Sequence, residues 1–413
     1  MRILPALLSA LLISAPLAAQ TPTEAAHAKI AEDYNRIVAE IAELTEIPAP
    51  PFKEAARGAR YLQMMQAVGL QDVKQDEIGN ITALRPGRNR TAKALVVSAH
   101  LDTVFPEGTP IFVQRDGNIL RAPGIGDDTI GLASMLAWVR AMDTAGIETE
   151  RDIIFVATVG EEGPGDLRGV KHLFTENPLR ARIGDFISFD GSSITGITHG
   201  AVGSRRYRVT FKGPGGHSYG AFGIVNPMVA MANTVTGLYA ITTPTDIKTT
   251  YAASTVSGGT SVNSIPNAIT MEFDMRSRSP QNLAALEAQL LALINQSVAA
   301  ENAARSTRFG EISAEPVLIG DRPAGETPAD DPLVRAAAAA MTRAGYDAPL
   351  RASSTDSNIP ISLGIPAITV GAGAGGGRAH ALDEFISIER EPFVKGIQTG
   401  LDIVLAAAAI TRD

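Results

Sequence analysis

Four apolar runs of strand length each stop at an acid or lead to an imidazole, and this constrains the fold of the 413-residue chain more than any other feature. Leu95–Ala99 runs into His100-Leu101-Asp102, and Ile153–Val159 into Gly160-Glu161-Glu162-Gly163. Phe186–Phe189 runs into Asp190-Gly191, and Ile365–Val370 into a glycine-rich loop that reaches His380. A continuously apolar strand has no polar face to turn to water, so it belongs in a sheet covered on both sides. Helical patterns between the runs, such as Leu132, Met135, Leu136 and Val139, supply that cover. The alternation predicts an α/β domain with a mostly parallel sheet. Open sheets of this kind bind ligands at the carboxyl ends of their strands, where these acids and histidines fall.

A different rhythm occupies residues 200–313. Arg205–Lys212, Thr250–Ser257, Ala268–Arg276 and Thr307–Ala314 are strand-like, while Asn226–Ala240 and Asn282–Ala300 read as helices. Their order is β-α-β-β-α-β, a split βαβ or ferredoxin-like unit inserted into the larger domain. The larger domain then comprises residues 20–199 and 314–413. Ahead of the first apolar run, residues 24–46 and 55–68 carry helical spacing, the first as one continuous helix. Met1-Arg2, the apolar stretch to Ala19 and the small residues Leu17-Ala18-Ala19 have the layout of a secretory signal. The expectation is a 1–19 signal peptide and a mature protein that is secreted or periplasmic, without stable membrane insertion.

The chain has no Cys, so a transition-metal site must be built from His and carboxylates. Its net charge of −8 argues against nucleic acid as a partner. Acids gathered without partners at one sheet edge raise one another's pKa, a conflict that cations resolve. A further loop, Gly124-Ile125-Gly126-Asp127-Asp128, adds to the set. With Asp127, Glu162 and Asp190 as anionic ligands and His100 and His380 as neutral ones, two divalent ions and one bridging hydroxide bring the cluster to neutrality. Zinc suits these ligands first, with cobalt or manganese as alternatives.

Taken together, Ser98–Val104, Gly124–Gly131, Gly160–Gly163, Phe189–Gly191, Gly213–Ser218 and Ala379–Ala381 resemble the motifs of the M20 metallopeptidases. That family includes tripeptide aminopeptidases, glutamate carboxypeptidases and acetylornithine deacetylase-like enzymes. The resemblance implies that Asp127 bridges two ions, with His100 and Asp190 on one and Glu162 and His380 on the other. Asp102 would orient the His100 ring, and Glu161 would be the general base. The inserted unit would be a lid and dimerisation domain. From it His217 would reach the partner's active site and stabilise the oxyanion, while Asn263 and Arg276 would contact a substrate carboxylate. Thr129 stands where the family often has Lys, and Asp190 rather than Glu leans toward the aminopeptidase and dipeptidase branches.

Outside the resemblance, Asp356 is a candidate for binding a substrate amine, and His27, His172 and His199 read as surface or packing residues. Gly371, Gly373 and Gly376 form a G-x-G-x-x-G pattern without an opening βαβ unit, better explained as a loop that positions His380. The expected protein is an exported, homodimeric di-metal exopeptidase of aminopeptidase or dipeptidase type acting on small peptides. Its rivals are a carboxypeptidase or N-acyl amino acid deacylase on the same scaffold, and a periplasmic binding protein without turnover.

Overall fold

The computed structural model describes residues 20–412, so the expected signal segment lies outside the described residues. A nine-stranded sheet forms the centre of the larger domain. Its middle is four neighbouring parallel strands, in the order Ile153–Thr158, Ala94–His100, Ile183–Phe189 and Ala367–Val370. Antiparallel strands flank them on both sides, Ile81–Arg85 on one and Ile197–Ala201 on the other.

Side-chain alternation explains why these runs are apolar throughout. Leu95, Val97, Phe155, Ala157, Ile187 and Phe189 enter a core on one face, under helices that include Ile130–Thr144 and Arg390–Ala408. Val96, Ile154, Val156 and Phe186 enter a second core on the other face, with Val170 and Leu173 of the Arg168–Thr175 helix. Each strand thus feeds two cores, which is why apolar residues dominate it on both faces. Trp138 locks the first layer: it is fully buried, its indole N–H donates to the Ile397 carbonyl at 2.8 Å, and its ring lies 4.4 Å from that of Phe189. Near the same layer the Arg390–Ala408 helix touches the loop leading to His380. A Cβ on Gly396 would come within 1.7 Å of the Gly373 carbonyl oxygen.

The amino-terminal helical stretch is two helices, Pro22–Glu32 and Tyr34–Thr45, rather than one. The break falls at Asp33, whose carboxylate accepts from Arg140 Nε at 2.9 Å and faces Lys29 at 3.0 Å. A tertiary ion pair here overrides the local helical spacing.

A separate four-stranded antiparallel sheet runs in the order Thr249–Gly258, Ala268–Ser277, Gly203–Lys212 and Ser313–Arg322. Helices Pro227–Tyr239 and Pro280–Ala304 pack on it through residues such as Leu238, Leu286, Leu290 and Ile294, against Val209, Phe211 and Phe273. The second helix is the one described helix long and apolar enough to cross a bilayer, and its apolar stripe is committed to this sheet. The closing strand corrects the expectation of 307–314. Residues 307–310 form a turn at Gly310 (φ 124°), and the strand runs from Ser313 to Arg322. Pro316 stands within it at the edge of the sheet, where a missing N–H breaks no ladder.

Candidate active site

The four parallel strands release their polar residues at one sheet edge. His100, the last residue of its strand, is 1% exposed. Its Nδ1 lies 3.0 Å from the Asp102 main-chain carbonyl. A carbonyl only accepts, so Nδ1 carries a proton and Nε2 is the atom presented to the site. That Nε2 lies 2.8 Å from Asp127 Oδ1 and 3.9 Å from Asp190 Oδ1. On the other side, His380 Nε2 lies 3.2 Å from Asp127 Oδ2 and 3.1 Å from Glu162 Oε1. The two oxygens of Asp127 are therefore divided between two imidazoles. His100, Asp127 and Glu162 offer ligand atoms all within 4.8 Å of one another.

Electrostatics show what the cluster lacks. Burial and the neighbouring Asp127 carboxylate push Asp190 up to about 7. Burial opposes a charge on His100, yet the Asp127 hydrogen bond and the charges of Asp127, Asp128 and Asp190 together hold the imidazole well above its ordinary range. Hydrogen bonds to Asp127 and Glu162 push His380 up to about 10. Burial also opposes ionisation of Asp127, but hydrogen bonds from both imidazoles hold its carboxyl below the usual carboxylate range. The imidazoles and carboxylates thus converge on one another as donors to a cation would. The nitrogen and oxygen donors, with no sulfur, fit a borderline or hard divalent metal.

The residues expected to act around this cluster divide into several places. Glu161 is 6% exposed and lines a cavity of about 460 Å³ together with Asp127, Glu162, Asp190 and Arg276. Burial raises its carboxyl well above the usual range, with Arg322 acting in the opposite direction. Asp102 meets the His100 ring through its main-chain carbonyl, while its carboxylate stands 3.8 Å from Nδ1. The carboxylate instead accepts the backbone N–H groups of Glu161 at 3.0 Å and Glu162 at 2.9 Å. Asp356 does not line that cavity; it is 1% exposed and its Oδ2 accepts from Thr158 Oγ1 at 2.6 Å.

His217 and Asn263 do not line that cavity. They share an exposed corner of the smaller domain, where Ser218 N donates to the Asn263 carbonyl at 2.9 Å. His217 Nδ1 accepts from the backbone N–H groups of Tyr219 and Gly220 at 3.2 and 3.3 Å.

Four further residues build the site, and of these only Asp128 stands in one of the sequence motifs. Glu384 is buried and accepts from Gly124 N at 2.9 Å and Gly126 N at 2.8 Å, bracing the loop that carries Asp127. Asp128, joined to Asp127 by a cis peptide, accepts from His100 N at 3.1 Å. Arg57 is fully buried and donates to the carbonyls of Ile47, Leu101 and Thr45. Burial lowers its pKa to about 10 while Asp102 and Asp128 support its charge. Arg322 pairs with Glu161 at 3.3 Å. His380 is followed by adjacent acids, Asp383 exposed and Glu384 buried, and local sequence does not say which turns inward.

A doubly covered α/β sheet with a histidine and carboxylate cluster at its strand ends defines a metal-dependent hydrolase. More specifically, the chain belongs to peptidase family M20/M25/M40, whose family model matches residues 96–406. No curated protein gives a significant sequence match. Among solved structures, an aminopeptidase from Bacillus cereus is 21% identical with a TM-score of 0.72, covering 91% of this chain and 99% of its own. A tripeptidase from Staphylococcus aureus is 21% identical with a TM-score of 0.74 and the same coverage, 91% and 99%. A Bacillus subtilis protein described as a dinuclear metal-binding M20 peptidase is 16% identical with a TM-score of 0.64, covering 92% and 99%. At these identities the likeness shows the shared fold.

Asp102→Asn tests the backbone brace. An amide can accept only one of the two N–H bonds and sets its own N–H against the other. The expected cost is about 1–3 kcal/mol of stability and roughly tenfold or more in metal affinity. Thermal unfolding and calorimetric metal titration read both, and unchanged values in the variant rule the brace out.

Proposed function

We propose that the protein is an exported di-metal exopeptidase of dipeptidase type, cleaving short peptides that keep a free carboxyl terminus. The observation that carries this reading is the division of Asp127 between His100 and His380, with Asp190 and Glu162 flanking the two imidazoles. His100, Asp127 and Asp190 would hold one ion, and Asp127, Glu162 and His380 the other, with zinc the first candidate and cobalt or manganese the alternatives. When bound, such ions supply Lewis acidity toward the scissile carbonyl and a lower pKa for the attacking water. Glu161 takes the water's proton and delivers it to the leaving nitrogen. Asp102 and Glu384 hold the backbone that aims Glu161, Glu162 and Asp127.

The cavity's charges support recognition of a carboxylate. Arg206, Arg276 and Arg322 line it. Asp274 is shared by Arg206 at 3.1 Å and Arg276 at 2.8 Å, and Glu161 answers Arg322. One guanidinium charge is left for a substrate anion, and the fork geometry of Arg suits a carboxylate. The acids that line the cavity are either proposed metal ligands or the base, so an α-ammonium group has no dedicated partner there. A deacylase of N-acyl amino acids uses the same carboxylate contact and is the nearest rival.

His217 supports a homodimer. Its Nδ1 is an acceptor, so the proton is on Nε2, and that donor faces outward from an exposed corner beside Val262 (103% exposed) and Tyr219 (90% exposed). In this reading the corner meets the active site of the partner subunit, and the periplasm is the compartment.

Three outcomes test the proposal. Chelation is expected to abolish peptide cleavage and divalent metal to restore it, while Glu161→Gln keeps the metal content but loses roughly 10²–10⁴-fold in rate. Rapid hydrolysis by that variant would remove Glu161 from the base role. Amidating the carboxyl end of a dipeptide or tripeptide should stop cleavage, whereas acetylating the amino end should be tolerated; the reverse pattern assigns an amine-anchored aminopeptidase. Finally, inactive His217→Ala and Glu161→Ala chains should regain partial activity after subunit exchange, and a mixture that stays inactive places His217 in its own chain's site.

A further inference from the structure

Three contacts join the smaller domain to the loop that carries Glu161. Arg206 Nη1 donates to the Gly163 carbonyl at 3.2 Å. The Asp321 backbone N–H donates to both Asp166 oxygens, at 3.1 and 3.0 Å. Arg322 makes the densest set: Nη2 donates to the Glu161 carbonyl at 2.5 Å, and Nη1 to Glu161 Oε1 at 3.3 Å and to Ser354 Oγ at 3.2 Å. All three contacts come from one end of two adjacent strands, where Gly320 pairs with Arg206, Asp321 with Arg205 and Arg322 with Ser204.

The loop they grip is irregular. Gly160, Gly163, Asp166 and Leu167 all have positive φ, so regular secondary structure does not hold Glu161 in place. Asp102 fixes its backbone from below through the N–H groups. From above, the Arg322 guanidinium takes the Glu161 carbonyl and one carboxylate oxygen together. It is the sole side-chain partner of that carboxylate among the described residues. Both side chains are nearly closed to solvent, 5% and 7% exposed, so the pair is dry and its geometry well defined. The other carboxylate oxygen is left for the cavity.

We propose that Arg322 is a positioning residue for Glu161, a latch at the end of the lid sheet that sets the base's rotamer and ties it to the seating of the lid. This rests on the reading of Glu161 as the base. A guanidinium suits the task because its rigid fork bonds two acceptors at once, whereas an ammonium reaches them as a point charge. The alternative is that Arg322 grips the substrate carboxylate directly, since it also lines the cavity.

Steady-state kinetics on a dipeptide separate the two, using the metal-reconstituted full chain with Arg322→Lys and Arg322→Ala. The latch predicts a kcat loss on the order of 10²-fold, little change in KM, unchanged metal stoichiometry, and partial rescue of Arg322→Ala by guanidinium ion. In a Glu161→Gln background the same substitutions should cost less than about threefold more, because the group they position is already disabled. A raised KM with kcat preserved, or an equal fold-loss in both backgrounds, overturns the latch. If Arg322→Ala fails to fold, the Lys variant carries the test, and wild-type kcat in it also overturns the proposal. Near-normal turnover by Glu161→Gln alone would instead remove the base assignment, whatever the Arg322 variants do.

Discussion

The structure depends on one electrostatic constraint: several carboxylates and two imidazoles are packed at the end of a dry parallel sheet, where charge is costly unless it is answered. Parallel strands bring this about because all four finish at the same edge. Each is mainly apolar and hands over at its carboxyl end to a segment that carries acid or imidazole, so topology collects groups that lie far apart in the chain. Asp190, raised to about 7 by burial and by Asp127, shows the unrelieved conflict. Hydrogen bonds between Asp127 and the imidazoles answer part of it, and divalent cations would answer more with the same donors.

Not every acid at that edge faces the cations. Asp102, Asp128 and Glu384 point into the backbone and accept N–H groups from residues 161, 162, 100, 124 and 126. These charge-assisted bonds hold loops that have no regular partners of their own. The charges of Asp102 and Asp128 support that of the buried Arg57. The cluster is thus held from behind by charges of its own, and an acid in this region can be essential without touching either metal or substrate.

This division explains what was legible in the sequence. The sheet and its parallel centre were readable because uninterrupted apolar runs have few other places to go. His100, Asp127, Glu161, Glu162, Asp190 and His380 stood out because each follows a run or a glycine-rich turn, and the structure brings them to one edge. Glu384 and Arg322 were not legible, since a buried acid beside an exposed one and an arginine ending an edge strand carry no local mark. Asp102 does meet His100, but spacing alone does not say whether its carbonyl or its carboxylate reaches the ring, nor that the carboxylate braces residues 161 and 162. The Ser313–Arg322 strand was misplaced because exposed edge residues and Pro316 hide strand periodicity. In the same way, the helix break at Asp33 depends on Arg140, more than a hundred residues away in sequence.

The smaller domain presents two separate groups of candidate functional residues. Its inner end touches the base loop through Arg206, Asp321 and Arg322, and Arg276 lines the cavity. Its His217 corner faces away, with the imidazole tautomer fixed by two backbone N–H groups. A histidine held as an outward Nε2–H donor is preorganised for a developing negative oxygen, because no reorientation is needed at the moment of reaction. His217 does not line its own chain's cavity, which is why the proposed homodimer assigns it to the active site of another copy. In the proposed dimer, the domain that brings Arg322 to one active site would bring His217, on its separate Gly216–His217 and Ser264–Ile265 strand pair, to the other.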